Sequence, residues 1–296
     1  VIYLQHFGLR EPPFGITPDT SFYYACTSIQ EAMNTLLVAV ANGEGFIKIT
    51  GEVGTGKTLL CRKLLASLDE GWVSAYIPNP NLDPQTLLLA LVEELGIKVE
   101  GPQDQHHLMK ALNRGLLEFA RDKKRVLVCL DETQAMPLES LETLRLLTNL
   151  ETEKRKLLQV ILFGQPELDD KLKHNSIRQL RQRITFQHDL GTLTPEETEH
   201  YLSHRMQKAG YVGDSVFSSA AVRTIHQASG GVPRLINILA NKALMLVYGE
   251  GGRKVGVSQA RAAIADTPSA LGSAKSWLMF GLVCIVVAVF VWTFMR

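Results

Sequence analysis

The sequence lacks paired cysteines. Cys26, Cys61, Cys129 and Cys284 form no C-x-x-C pair and match no zinc spacing, so they read as small buried hydrophobes in a reducing compartment rather than as a disulfide or zinc framework. It also lacks an excess of either charge. With 31 Lys+Arg against 30 Asp+Glu, nothing global demands a nucleic acid or an acidic surface as partner. There is no secretory signal either: the opening "VIYLQHFGLREPPF" has neither a basic start nor an apolar stretch, which places the body of the chain in the cytoplasm. Internal repeats are absent, and the adjacent His106 and His107 face different directions along a helical stretch and suggest no metal site.

One long apolar run is present. Ser276 to Met295 gives 20 residues without a charge, enough for a helix of roughly 30 Å, the thickness of a hydrocarbon core. The run is apolar all round, with Trp277 and Trp292 near its ends and Lys275 and Arg296 flanking it, as expected of a membrane span with interfacial indoles. The alternative, a buried last helix, needs protein on every side. Pro, Gly, Ser and Ala dominate the preceding "DTPSALGSAKS" (266–276), which reads as a flexible linker. Basic residues upstream of the run (Arg253, Lys254, Arg261, Lys275) outnumber the single Arg296 downstream. That bias puts the body inside and the C-terminus in the periplasm.

The body alternates apolar strands with helical stripes. Strands are expected at 46–50, 72–77, 125–130, 157–163 and 184–189, with helices near 28–42, 57–68, 84–95, 105–121 and 137–150. Runs such as "RVLVCL" are continuously apolar, as in strands buried on both faces, so the fold class is α/β with a parallel sheet. After Leu193 the strands stop. "TPEE" (194–197) reads as a capping box with Pro195 at the first helical position, and helices follow at about 195–209, 215–229, 233–249 and 258–265.

The chemistry is carried by "GEVGTGKT" (51–58) between the first strand and its helix. This G-x-x-x-x-G-K-[ST] pattern curls the backbone so that N–H groups and a helix N-terminus point at a phosphate chain. Gly51, Glu52, Val53, Gly54, Thr55, Gly56, Lys57, Thr58 and Leu59 therefore form a candidate ATP cradle. Lys57 would reach the outer phosphates and Thr58 would offer its hydroxyl to Mg²⁺. Asp131 and Glu132 close the strand "RVLVCL"; Asp131 is the second Mg²⁺ candidate and Glu132 the candidate base for the attacking water. Gln165 closes the next strand near the outer phosphate, where it would orient that water or sense the phosphate, the alternative being merely a polar strand end. Arg178, Arg181 and Arg183 precede the fifth strand, and one of them would serve a neighbouring subunit's nucleotide, the alternative being solvated charges. Arg234 stands in a helix's first turn, where the dipole disfavours a cation unless an anion faces it.

Together these features resemble an AAA+ P-loop ATPase: a parallel sheet with helices on both faces, followed by a small all-helical lid. "YLQHFGLREPPFGITPDTSFYY" (3–24) resembles the opening of the ExeA/GspA family of secretion ATPases, while "YIPNP", "NLETEKRKLLQVILFGQPELD" and "RQLRQRITF" resemble the MshM-type ATPases of MSHA pilus biogenesis. The resemblance covers roughly residues 2–265. It implies an N-terminal segment (1–27) packed near the adenine, with Pro13 and Phe14 beside the base, then an ATPase core (28–191) and a helical lid (192–265); the linker (266–276) and the membrane helix (277–295) rest on the sequence itself. It further implies ATP and Mg²⁺, a homo-oligomer, an inner-membrane setting and partners in pilus or type II secretion assembly. Family members that bind peptidoglycan do so through a domain beyond the span, and this chain stops at Arg296, so direct peptidoglycan binding is not expected of it. Two other readings are a nucleotide-switched scaffold and a DNA-coating regulator of the transposition type. The anchor and the balanced charge argue against the DNA-coating reading.

Overall fold

The computed structural model describes residues 2–151 and 156–270. The expected membrane helix (277–295) and the end of the expected linker lie outside the described residues. Among the described residues, no helix is long and apolar enough to cross a membrane. The chain divides into two compact units. One joins the beginning of the chain, as far as Tyr24, to the part from Thr192 onward; the other is Ala25–Gly191. A single turn, α1 (Leu4–Phe7), belongs to the first of these.

The second unit is a five-stranded sheet with helices on both faces. In chain order it runs α2 (Thr27–Asn42), β1 (Phe46–Gly51), α3 (Lys57–Leu65), β2 (Trp72–Ile77), α4 (Pro84–Glu94), α5 (Gln105–Arg121), β3 (Arg125–Leu130), α6 (Leu138–Leu147), β4 (Gln159–Gly164), α7 (Glu167–Leu172), α8 (Arg178–Arg183) and β5 (Ile184–Leu190). The spatial order is β2-β3-β4-β1-β5, and every pair is parallel. Alternate strand residues divide between the faces. Val126, Val128, Leu130, Val160 and Leu162 join Leu87, Leu91, Leu108 and Leu144 of α4, α5 and α6 in one buried cluster. The alternate residues Leu127, Cys129, Ile161 and Phe163 are also fully buried, on the side that α2 and α3 cover. Burial on both faces explains the unbroken apolar runs in β3 and β4.

Two short helices, α7 and α8, fall where the sequence suggested only a connection. Each is one and a half turns long and is held by few apolar side chains (Leu168 and Leu172; Leu180), too few for a readable stripe. β1 carries a second surprise: Lys48 is 7% exposed in mid-strand and pairs with Asp169 of α7.

The other unit is helical: α9 (Pro195–Lys208), α10 (Ser219–Ser229), α11 (Pro233–Gly249) and α12 (Val257–Ala265). The capping box before α9 is present, Thr194 Oγ1 accepting from the Glu197 N–H at 3.1 Å and Glu197 Oε2 from the Thr194 N–H at 3.0 Å. Two further segments pack here. The N-terminal segment is woven into this unit: Tyr3 donates to Asn241 Oδ1 at 2.5 Å, the Arg10 N–H to Ala209 O at 2.8 Å, and Arg205 Nε to Pro13 O at 2.5 Å. The start of the expected linker is also packed. Thr267 and Ala270 are buried, and Lys242 Nζ donates to Asp266 O at 2.5 Å and Thr267 Oγ1 at 2.9 Å.

Candidate active site

The parallel sheet delivers the ends of β1, β3 and β4 to one rim, and the loops there carry the polar residues. After β1 the chain turns through Gly54 and Gly56, with φ of 87° and 107°, a region that favours glycine. A Cβ at Gly51 would stand 2.9 Å from both Thr55 Oγ1 and Leu190 Cβ, so the loop closes only because that Cβ is missing. Helix α3 then begins at Lys57 itself. Lys57 is buried, and its ammonium donates to Gly51 O at 2.6 Å and Glu52 O at 2.9 Å. Burial lowers its pKa, while the charges of Glu132 and Asp131 oppose that shift. Among the other loop residues, Glu52 and Val53 are exposed, Thr55 is buried, and Leu59 is half-buried.

Strand β3 brings the two acids. Thr58 Oγ1 donates to Asp131 Oδ2 at 2.5 Å, and the Tyr76 hydroxyl of β2 reaches the same oxygen at 3.4 Å, a weak bond. Asp131 is 2% exposed. Its carboxyl is pushed above the usual carboxylate range by burial, against the bonds from Thr58 and the Glu132 N–H. The Tyr76 phenol is pushed up to about 12, by burial first and then by the Asp131 charge.

Glu132 sits at φ 53°, ψ 38°, a left-handed conformation that costs a non-glycine residue on the order of 1 kcal/mol. The surroundings hold it there. Its N–H donates to Asp131 Oδ1 at 3.0 Å, and its Oε2 accepts from Gln134 Nε2 at 2.5 Å and Gln165 Nε2 at 2.9 Å. The Gln165 N–H returns a bond to Gln134 Oε1 at 3.0 Å. Thr133 Oγ1 ties the same loop to Phe163 O at 2.6 Å. Lys171 Nζ ties it to α7 through Gln134 O at 2.5 Å and Met136 O at 2.6 Å.

The structure thus gathers Lys57, Thr58, Asp131, Glu132 and Gln165 on one rim. It adds Gln134 and Tyr76, which the sequence reading missed. Gln134 had a readable signal, a long amide two residues after the acid pair, but nothing in the sequence shows its partner 31 positions away. The three arginines separate. Arg178 and Arg181 are exposed on α8, whereas Arg183 is half-buried and donates to Thr148 Oγ1 at 3.2 Å and Arg145 O at 3.3 Å. Arg234 is exposed in the first turn of α11, in the helical unit. Pro13 and Phe14, expected beside the base, are buried in the helical unit, where the Phe14 ring meets Phe217 edge-on at 5.8 Å and is 3% exposed.

Residues 40–172 match the family model of an AAA domain. A curated relative, the general secretion pathway protein A of Aeromonas hydrophila, is 41% identical over 254 residues, which cover 86% of this chain and 46% of that protein. The chain therefore spans less than half of that relative's length. Among solved structures, the Aeropyrum pernix ORC2 protein in its ADPNP-ADP complexes aligns with a TM-score of 0.60 at 18% identity, over 84% of this chain and 72% of that one. The Drosophila ORC bound to DNA aligns with a TM-score of 0.63 at 14% identity, over 83% and 62%. The Thermotoga maritima RuvB Holliday junction branch migration motor gives 0.54 at 14%, over 81% and 69%. These likenesses establish the fold, a P-loop AAA+ α/β unit with its parallel sheet and flanking helices.

Proposed function

The chain belongs to the general secretion pathway protein A type of AAA ATPases, and from that premise we propose that it hydrolyses ATP to assist assembly of a secretion system or an MSHA-like pilus at the inner membrane. The observation that supports this most is the short bond between Thr58 Oγ1 and Asp131 Oδ2, 2.5 Å, beside the buried Lys57. A hydroxyl and a carboxylate are the hard oxygen donors that Mg²⁺ prefers. The positive φ of Gly54 and Gly56 curls the loop so that its N–H groups can converge on a phosphate. The residues present therefore fit both groups. Bound there, Mg²⁺ supplies charge neutralisation on the phosphate oxygens.

Each side chain then has one task. Lys57 exchanges its loop carbonyls for phosphate oxygens, and the α3 N-terminus faces the same anion. Glu132 takes a proton from the attacking water as that oxygen bonds to the terminal phosphorus and the bond to ADP breaks. Gln165, bonded to Glu132 Oε2 at 2.9 Å, keeps water and carboxylate aligned. In an oligomer, Arg178 or Arg181 is better placed than the internally bonded Arg183 to reach a neighbouring subunit. Arg234 is assigned to the phosphates from the helical unit, on the dipole argument alone. The apolar run at 277–295 anchors the chain in the inner membrane.

The test is steady-state ATP hydrolysis by the whole chain in detergent or vesicles. Glu132→Gln should lower kcat on the order of 100-fold with ATP binding retained. Wild-type turnover in that variant rejects Glu132 as the base. Alkaline extraction of membranes tests the anchor, since release of the chain into the supernatant contradicts it.

A further inference from the structure

Glu132 presents an asymmetric carboxylate. Oε2 accepts two amide N–H groups, from Gln134 at 2.5 Å and Gln165 at 2.9 Å, whereas among the described residues no hydrogen bond reaches Oε1. An oxygen that already accepts two bonds is a poor acceptor for a third, so water is directed to Oε1. The Gln134 amide has only one consistent orientation. Its oxygen must face the Gln165 N–H at 3.0 Å, which turns its NH₂ toward the carboxylate. Its backbone is fixed as well, because Lys171 Nζ donates to Gln134 O at 2.5 Å. Gln134 therefore spans from the base to the backbone at the end of β4 and is held at three points.

We propose that Gln134 is a positioning residue for hydrolysis: it locks Oε2 of Glu132 so that Oε1 faces the attacking water, and it sets that angle from the backbone of Gln165. The inference rests on Glu132 being the base. Gln165 alone cannot do the same work, because one bond to Oε2 leaves the carboxylate free to rotate about its terminal torsion, which has broad wells. A second donor from a different direction removes that freedom. Glu132 itself holds a strained backbone, so its side chain has no regular secondary structure to steady it.

The test uses the full chain with Gln134→Ala, Gln134→Glu and Glu132→Gln, alone and combined. Gln134→Ala should lower kcat roughly 10- to 100-fold, as expected when a reacting group drifts by about an ångström. KM for ATP and the Kd of a fluorescent ADP analogue should stay within about twofold. Gln134→Glu keeps the shape and the acceptor for the Gln165 N–H but sets a carboxylate against a carboxylate, so it should be at least as slow. In the Glu132→Gln background, adding Gln134→Ala should change the residual rate by less than about twofold, because its target is already gone. A merely structural residue would instead lose activity equally in both backgrounds, and that result overturns the proposal. Wild-type kcat in Gln134→Ala overturns it too. If Glu132→Gln retains full activity, the base assignment fails first. If Glu132→Gln is inactive while Gln134→Ala is normal, only the positioning role fails.

Discussion

The Thr58 hydroxyl and Asp131 Oδ2 lie 2.5 Å apart, so the first turn of α3 and the end of β3 share one carboxylate oxygen. Asp131 is 2% exposed, and burial is the largest influence on it, disfavouring its charged form. Folding therefore retains a carboxylate at a site that penalises it. Asp131→Asn removes the buried charge but sets an NH₂ against one of the two donors, the Thr58 hydroxyl or the Glu132 N–H. The expected outcome is a nucleotide-free chain that still unfolds cooperatively, together with hydrolysis slower on the order of 100-fold. Calorimetry and an ATPase assay on one preparation check both, and wild-type turnover contradicts the role given to Asp131.

The helical unit should weaken in acid. Burial lowers His204 below its ordinary 6.5, with Lys208 and Arg205 adding to the effect. It also lowers His226, against the charge of Glu196. Near pH 6.5 the unfolded chain takes up protons that the folded unit refuses. These groups' contribution to stability is complete above that pH and is lost as pH falls through the lowered values. Melting temperature should drop between about pH 7.5 and about pH 5.5, with faster hydrogen exchange in α9 and α10. The pair His204→Gln and His226→Gln should flatten the drop.

The Lys48–Asp169 pair is unequal. The Lys48 side chain is 9% exposed and that of Asp169 is 44% exposed. Removing Asp169 strands a buried ammonium, whereas removing Lys48 leaves a carboxylate that water can reach. Asp169→Ala should destabilise by about 1–3 kcal/mol, and Lys48→Met by less than about 1 kcal/mol. Urea denaturation decides; equal losses would count against the asymmetry.

Gly230 and Gly231 make a matched pair. Both have positive φ, 58° and 74°, but a Cβ at Gly230 meets nothing within 4 Å while one at Gly231 would lie 2.2 Å from Leu193 O. Gly230→Ala should cost about 1 kcal/mol for the backbone alone. Gly231→Ala must also displace the segment whose Leu193 N–H donates to Gly231 O at 2.9 Å, and should cost more than about 3 kcal/mol. Similar melting curves for the two variants would show that the close approach is relieved cheaply.

The sequence disclosed whatever repeats or punctuates. Continuous apolar runs marked β3 and β4, Thr194 with Glu197 marked the start of α9, and the glycine pattern marked the phosphate loop. It concealed what depends on a distant partner. Lys48 looked like an ordinary alternation in "FIKIT", because Asp169 lies 121 positions away. The arginines looked equivalent until α8 set their phase and turned Arg183 back toward α6. That Phe14 packs against Phe217 was equally hidden, because the two lie far apart in the chain.

Strand β4 lies between β1 and β3. Strands β1 and β3 are thus not hydrogen-bonded to each other; β4 separates them, and Gln165, the residue after it, bonds Glu132, while Thr58 and Asp131 meet across its end. β4 acts as the ruler of the rim. A substitution along "QVILF" that slides this strand lengthwise would shift both of its neighbours, β1 and β3, and with them the loops that carry Thr58 and Asp131.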